Sequence, residues 1–177
     1  SFFEFDTSGV SVTPTDATLK IYGFFGSSAD FFVVKADTAT DGAIVAADFD
    51  AIVGWSSGAD NSSNVTKYSS EVTSWSTSGY NDITLNAAAL TSMVDDDVLK
   101  ICCIESTKDL PNDELTSNFN ANSGMYYTEY TGTTRDPKID FTAGAAGYGN
   151  DVMGVASANI GKINGIATGD ISKVNGV

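Results

Sequence analysis

Ala17-Thr-Leu-Lys-Ile-Tyr22 decides how this chain is read. Its residues alternate in character, with Ala17, Leu19 and Ile21 on one side and Thr18, Lys20 and Tyr22 on the other. Side chains on a strand point to opposite faces in turn, so this pattern predicts a strand with one buried and one wetted face. Similar segments recur along the chain. Phe2–Phe5, Asp30–Lys35, Val65–Tyr68, Asp82–Leu85, Val98–Ile104, Gly124–Tyr130 and Lys138–Phe141 all read as strands. Turn-forming clusters separate them, among them Thr7-Ser-Gly9, Ser57-Gly-Ala-Asp-Asn61, Ser78-Gly79 and Asp95-Asp-Asp97. Two short helices are expected, at Ala46–Ile52 and at Asn86–Met93, the second with Asn86 as its N-cap. Neither is long enough to organise a fold. Many short strands joined by polar loops predict an all-β chain, an antiparallel β-sandwich of jelly-roll type.

Ala143-Gly-Ala-Ala-Gly-Tyr-Gly149 is nearly all Gly and Ala and reads as a linker. The expected organisation is therefore a sandwich over residues 1–142, a linker over 143–150 and a separate segment over 151–177. That last segment repeats with a period of eleven: Val155, Ile166 and Val177 share one phase, as do Gly154, Gly165 and Gly176. Eleven residues fit three helical turns, but Gly and β-branched residues are poor helix formers. Asn-Gly between apolar residues signals a tight β-turn, and it occurs in both Ile163-Asn-Gly-Ile166 and Val174-Asn-Gly-Val177. Short strands with regular turns are expected. Such units cannot bury an apolar face alone, and they need adjacent repeats or adjacent chains. The assembly residues are Val155, Ile160, Ile163, Asn164, Gly165, Ile166, Ile171, Val174, Asn175, Gly176 and Val177.

Charge narrows the partners. The net charge is −14. Residues 1–142 carry 21 acids and seven bases, whereas residues 143–177 carry two of each. An acidic body repels phosphates and anionic lipid surfaces, so neither nucleic acid nor membrane is an expected partner. No apolar run nears the roughly 18 residues that would suggest a membrane-spanning helix. Residue 1 is Ser and not Met, and the expectation is a processed chain or a segment of a longer one. The absence of His removes the commonest general base and metal ligand. Cys102 and Cys103 are adjacent and read as two small buried residues facing opposite ways.

Several candidate sites remain. Asp109, Asn112, Asp113 and Glu114 bring together oxygens that suit a structural Ca²⁺. They lack the Asp-x-Asp-x-Asp-Gly spacing of an EF-hand loop, so a solvated turn is the expected reading and calcium the alternative. The Asp95–Asp97 run is read the same way. Tyr126, Tyr127 and Tyr130 are glycan-stacking candidates, and Trp55, Trp75 and Tyr80 are weighed with them against core packing. Arg135, the sole arginine, is expected to form a structural ion pair. Asn61-Ser-Ser63 and Asn64-Val-Thr66 match the glycosylation acceptor pattern. No residue set points to catalysis.

Three segments carry a resemblance: Ser1-Phe-Phe-Glu-Phe-Asp6, Asp16-Ala-Thr-Leu-Lys-Ile-Tyr22 and Thr133-Thr-Arg-Asp-Pro-Lys-Ile-Asp140. Together they resemble the frame of disaggregatase-related, carbohydrate-binding-module-like jelly rolls, over residues 1–142. The chain lacks the Trp-x-x-x-x-Thr-Trp motif of many of these. Ile171-Ser-Lys-Val-Asn-Gly-Val177 resembles repeats in structural proteins of tailed phages, especially those of aquatic bacteria. These resemblances imply a non-enzymatic virion protein, a fibre, appendage or decoration subunit. It would form a homo-oligomer, most simply a trimer, and contact other virion proteins and surface glycans. A carbohydrate-binding module from a secreted multidomain protein is the alternative.

Overall fold

The structure, a computed structural model, describes residues 1–26, 30–114, 122–128, 131–144, 162–163 and 166–167. Seven strands build the body: β1 (Phe2–Asp6), β2 (Asp16–Gly26), β3 (Phe31–Lys35), β4 (Tyr80–Thr84), β5 (Val98–Glu105), β6 (Ser123–Met125) and β7 (Lys138–Thr142). One sheet has the order β1-β5-β3. The other has the order β4-β2-β6, with β7 also paired to β2. All these pairings are antiparallel. Successive strands alternate between the sheets from β1 to β6. The all-β, antiparallel sandwich is as expected; these strand orders do not by themselves define a jelly-roll winding.

The alternation in β2 works as its sequence predicts. Ala17, Leu19 and Ile21 are buried together with Ile83 and Leu85 from the β4 side. They meet Phe3, Phe31, Val33, Leu99, Ile101 and Cys103 from the facing sheet in one core. Burying each such side chain contributes roughly 1.5–3 kcal/mol. The helix α1 (Ala87–Asp95) adds Ala89 and Met93 to that core. Its start follows the expectation: the Asn86 side chain accepts the Ala88 and Ala89 N–H groups at 3.0 and 3.2 Å. The other predicted helix is only a 3-10 turn, Ala46–Asp48. Its Asp48 carboxylate accepts the N–H of Val45 at 2.9 Å, which caps the turn.

β5 differs from β2. Ile101, Cys102, Cys103 and Ile104 are all buried, so both of its faces are covered. Cys103 faces the main core, whereas Cys102 and Ile104 face a second one, with Val34, Ile52, Val65 and Leu110. This second core forms because the long β3–β4 connection folds back over the outer face of β1-β5-β3. Val65–Tyr68, expected to be a strand, belongs to that connection and touches the sheet through an isolated bridge between Lys67 and Val34. Asn61 is wholly buried and braces a turn of this connection. Its side chain binds the Ser56 N–H at 2.8 Å and the Ala59 carbonyl at 2.8 Å. The Asn61 amide, part of one of the two acceptor-pattern matches, thus lies inside the fold. Gly54 has φ +88, and a Cβ there would stand 2.1 Å from the Asn64 carbonyl oxygen, so only glycine fits.

Both cysteines are free. Burial pushes the Cys103 thiol up to about 12 and raises Cys102 as well. Neither supplies a thiolate at neutral pH. Among the described residues, no helix is long and apolar enough to cross a membrane.

Candidate functional site

Among the described residues, the outer face of β4-β2-β7 carries the largest group of ring contacts. Tyr22 is the wetted end of the alternation that opens β2, and its register neighbour on β4 is Tyr80. On the other edge of β2 the chain runs as β6, gives the Tyr126 N–H to the Tyr22 carbonyl at 3.0 Å, and then leaves. It rejoins the same edge where Lys138 pairs with Lys20. β6 and β7 are thus one edge strand interrupted by an excursion between Tyr126 and Lys138. The excursion is tied down from beneath. The Tyr80 hydroxyl lies 3.1 Å from the Thr134 carbonyl and 3.0 Å from that of Asp136. Burial raises the Tyr80 phenol, and the Asp136 charge adds to the shift.

Above these groups sits Arg135. Its guanidinium lies 4.9 Å from the Tyr126 ring centre and 5.2 Å from that of Tyr22, and it donates to the Tyr126 hydroxyl at 2.8 Å. Tyr22 meets Tyr80 and Tyr126 edge-on at 5.3 and 5.6 Å. Phe24 tilts against Tyr126 at 4.8 Å and stays 51% exposed; Phe25 is 61% exposed. Lys138 sits 5.1 Å from the Tyr80 ring, and Lys20 bridges Asp82 at 2.8 Å. Cation–ring contacts of this kind contribute about 0.5–2 kcal/mol each. Beside whatever carboxylate Arg135 pairs with, the fold gives it these two rings. The guanidinium occupies one side of Tyr22 and of Tyr126, and Phe24 and Phe25 are the more exposed rings beside them.

Tyr127 goes the other way, as neighbours on an extended chain must. It stacks on Phe3 at 5.1 Å and donates to the Ser1 hydroxyl at 2.6 Å. Tyr126 and Tyr127 therefore do not form one platform. Tyr130 lies outside the described residues. Trp75 is buried in the main core, whereas Trp55 packs on the second and stays partly exposed.

The acidic loop after β5 is built around Glu105. Its carboxylate accepts the N–H groups of Thr107, Lys108 and Asp109 at 2.8, 2.6 and 3.1 Å. Burial opposes ionisation of Glu105, but these bonds outweigh it and hold its pKa below the usual value. Asp109 is pushed up, by burial first and then by the Glu105 charge. Asp113 bridges Lys108 at 3.3 Å, and Asn112 takes the left-handed φ of 57. Glu114 lies just beyond, exposed. Among the described residues no group of three or more His, Cys, Asp or Glu side chains is placed to hold a metal.

One constellation escaped the sequence. Ser92 on α1 accepts from the Tyr68 hydroxyl at 2.7 Å and from the Lys35 ammonium at 3.1 Å. Serine beside lysine suggests a nucleophile and its base. The Asp96 carboxylate, 2.9 Å from Lys35, rules against it. That contact raises the Lys35 pKa, the reverse of what a general base needs. The group ties α1 to β3. No sequence spacing could reveal it, since its members come from three separated segments.

In the repeat, β8 (Lys162–Ile163) and β9 (Ile166–Ala167) pair antiparallel, Lys162 with Ala167 and Ile163 with Ile166. Val155, Ile160, Asn164, Gly165, Ile171, Val174, Asn175, Gly176 and Val177 lie outside the described residues. Compared with known proteins, the chain matches no protein-family model, no curated protein and no solved structure.

Proposed function

We propose that this chain is a non-enzymatic structural subunit of a tailed-phage virion, a fibre, appendage or decoration protein that assembles through its repeat. The pairing of Ile163 with Ile166 across Asn164-Gly165 carries this reading. It is the short hairpin that the repeat pattern calls for. A two-stranded ribbon is marginal in water and needs further strands or a packed surface. The same Asn-Gly unit returns eleven residues later in the sequence. The acidic body keeps particles apart in solution, and the neutral tail is free of that repulsion. A homotrimer and an extracellular, virion-borne location complete the proposal, with calcium at the Asp109–Glu114 loop as an optional structural ion.

Light scattering after gel filtration tests this on the full chain and on a chain ending at Thr142. An oligomer that becomes monomeric on truncation supports assembly through the repeat. Two monomers would remove it.

The alternative, a carbohydrate-binding module, draws on the exposed Phe24 and Phe25 beside the tyrosine cluster. On that reading the chain is a monomer, and Phe24→Ala abolishes binding to a glycan panel.

A further inference from the structure

One turn of this protein is inside out. Between Ile44 and Phe49 the acid is buried and the apolar side chains are not. Asp48 is 4% exposed, whereas Ile44, Val45 and Phe49 are 48%, 56% and 77% exposed. Ala43, Ala46 and Ala47 are exposed as well. Single exposed apolar residues are ordinary, but a buried acid whose apolar neighbours all face water is informative. The arrangement is built in. The Asp48 carboxylate accepts the N–H groups of Val45 and Ala39 at 2.9 and 3.3 Å. Turning Asp48 outward so that Phe49 could be buried would break both bonds, so the turn holds its apolar side chains in water.

The surface on either side of this turn is concave and apolar. Ala43 and Ile44 line a hollow of about 420 Å³ together with Phe2, Tyr127 and Pro137. Phe49 lines a second hollow, of about 460 Å³, together with Phe2, Ile52 and Trp55. Phe2 borders both, which joins the two hollows and the turn into one face. Most of the charge on this face is engaged within the chain. Glu4 accepts the Thr38 hydroxyl and the Gly42 N–H. Lys100 bridges Asp41 at 2.7 Å, and Lys108 bridges Asp113 at 3.3 Å. Asp50 and Asp109 are the acids left over, both at the second hollow.

We infer that this face packs against the same face of a second copy about a two-fold axis, the Ile44–Phe49 turn of each copy set in a hollow of the other. A projection and a hollow side by side on one face are self-complementary, which is what a two-fold contact requires. The area is of the right size. Ile44, Val45, Phe49 and Tyr127 together leave on the order of 400 Å² of apolar surface in water. That is about half of the ~800 Å² that each partner gives to a standard interface, close to the usual apolar share. A basic partner would find few free acids here and many more on the rest of the body, so the chemistry of this face selects another apolar face. The contact does not involve the repeat and goes beyond the assembly reading above. With so modest an apolar area it is weak by itself, with a dissociation constant on the order of 10–100 µM.

The test uses the full chain carrying Ile163→Asp, so that association through the repeat is removed, with light scattering over a concentration series that spans this range. The expected result is a reversible monomer–dimer equilibrium. It should tighten with added salt, because screening relieves the repulsion between two acidic bodies. Phe49→Asp and Val45→Asp should each weaken it about tenfold or more. Both side chains are exposed, so an unchanged far-UV circular dichroism spectrum is expected for each variant. The fluorescence of Trp55, in the second hollow, should change with the dimer fraction in the parent and not in Phe49→Asp. Association unchanged in both variants overturns the inference, as does a chain that stays monomeric throughout; either result leaves the repeat reading standing. If the chain with and without Ile163→Asp associates alike and Phe49→Asp disperses both, this contact stands and assembly through the repeat falls. A monomer that floats with phosphatidylcholine vesicles, and no longer does so as Phe49→Asp, would assign the face to a lipid surface and overturn the two-fold contact.

Discussion

The two sheets of the sandwich cover their outer faces in different ways. Over β1-β5-β3 lies a second apolar core, in which Val34, Cys102 and Ile104 meet Ile52, Val65 and Leu110. Over β4-β2-β7 lies a thin layer of rings and cations, Tyr22, Tyr80 and Tyr126 under Arg135. The first covering excludes water and is held by area. The second is partly wetted and held by a few directed contacts. The difference follows from the strands beneath. β5 reads Ile101-Cys-Cys-Ile104 without a polar residue, so both faces demand cover. β2 alternates, so its outer face tolerates water. An apolar covering is therefore expected to contribute to global stability, and a polar covering to local order alone.

Truncations in the two cores separate these roles most sharply. Leu110→Ala should cost about 2–5 kcal/mol if the second core unfolds together with the first. Ile101→Ala in the main core sets the scale for comparison. Urea unfolding followed by tryptophan fluorescence and by far-UV circular dichroism checks this, because Trp55 packs on the second core and Trp75 in the first. Coincident curves for the Leu110 variant mean one cooperative unit; a fluorescence change that precedes the dichroism change would break the comparison by making the covering a separate layer.

Tyr80→Phe tests the other face. It removes only the hydroxyl that meets the Thr134 and Asp136 carbonyls. The expected cost is about 0.5–1.5 kcal/mol, with faster proteolysis inside 127–137 and unchanged exchange elsewhere. A global loss like that of the Leu110 variant would mean that the excursion helps to hold the sheet.

The smallest effect is expected at the acidic loop. Asp109 has a raised pKa, so its carboxyl binds a proton more readily folded than unfolded. Its contribution to stability is thus present below its unfolded pKa and lost as pH rises through the folded one. Glu105, with a lowered pKa, acts in the opposite sense: its contribution is present above the unfolded pKa and lost as pH falls through the folded one. Asp109→Asn should therefore leave the protein slightly more stable at neutral pH, by less than about 0.5 kcal/mol. Thermal melts at pH 4 and pH 7 check the sign. Added calcium sharpens the result: a melting temperature raised in the parent and unchanged in Asp109→Asn would show that the loop takes a metal through this residue.

Much of the body could be read along the chain because its strands report their own surroundings. The alternation at Ala17–Tyr22, the unbroken apolar run in β5 and the cap at Asn86 are local signals, set by period and by hydrogen-bonding type. The same holds for Ile163-Asn-Gly-Ile166, where the turn residues and the β-branched flanks lie side by side. Val65–Tyr68 shows the limit: its residues suit a strand and it runs beside β3, but the pairing shifts by two residues between Val34–Lys67 and Phe31–Val72, where the Ser69 hydroxyl takes the Val33 N–H, so only isolated bridges form. Arg135 shows another, since its charge gave no sign of the Tyr22 and Tyr126 rings that the fold places beside it.

What the sequence determined by itself was the class of the fold, the position of most strands and the division between an acidic body and a neutral repeat. Periodicity and charge are properties of neighbours along the chain. Only the tertiary structure decided that Tyr126 and Tyr127 part company and that the excursion after β6 returns to the same edge. Each of these depends on which strands pair and in what register, a choice made between segments far apart in sequence by the area and the hydrogen bonds they bring together.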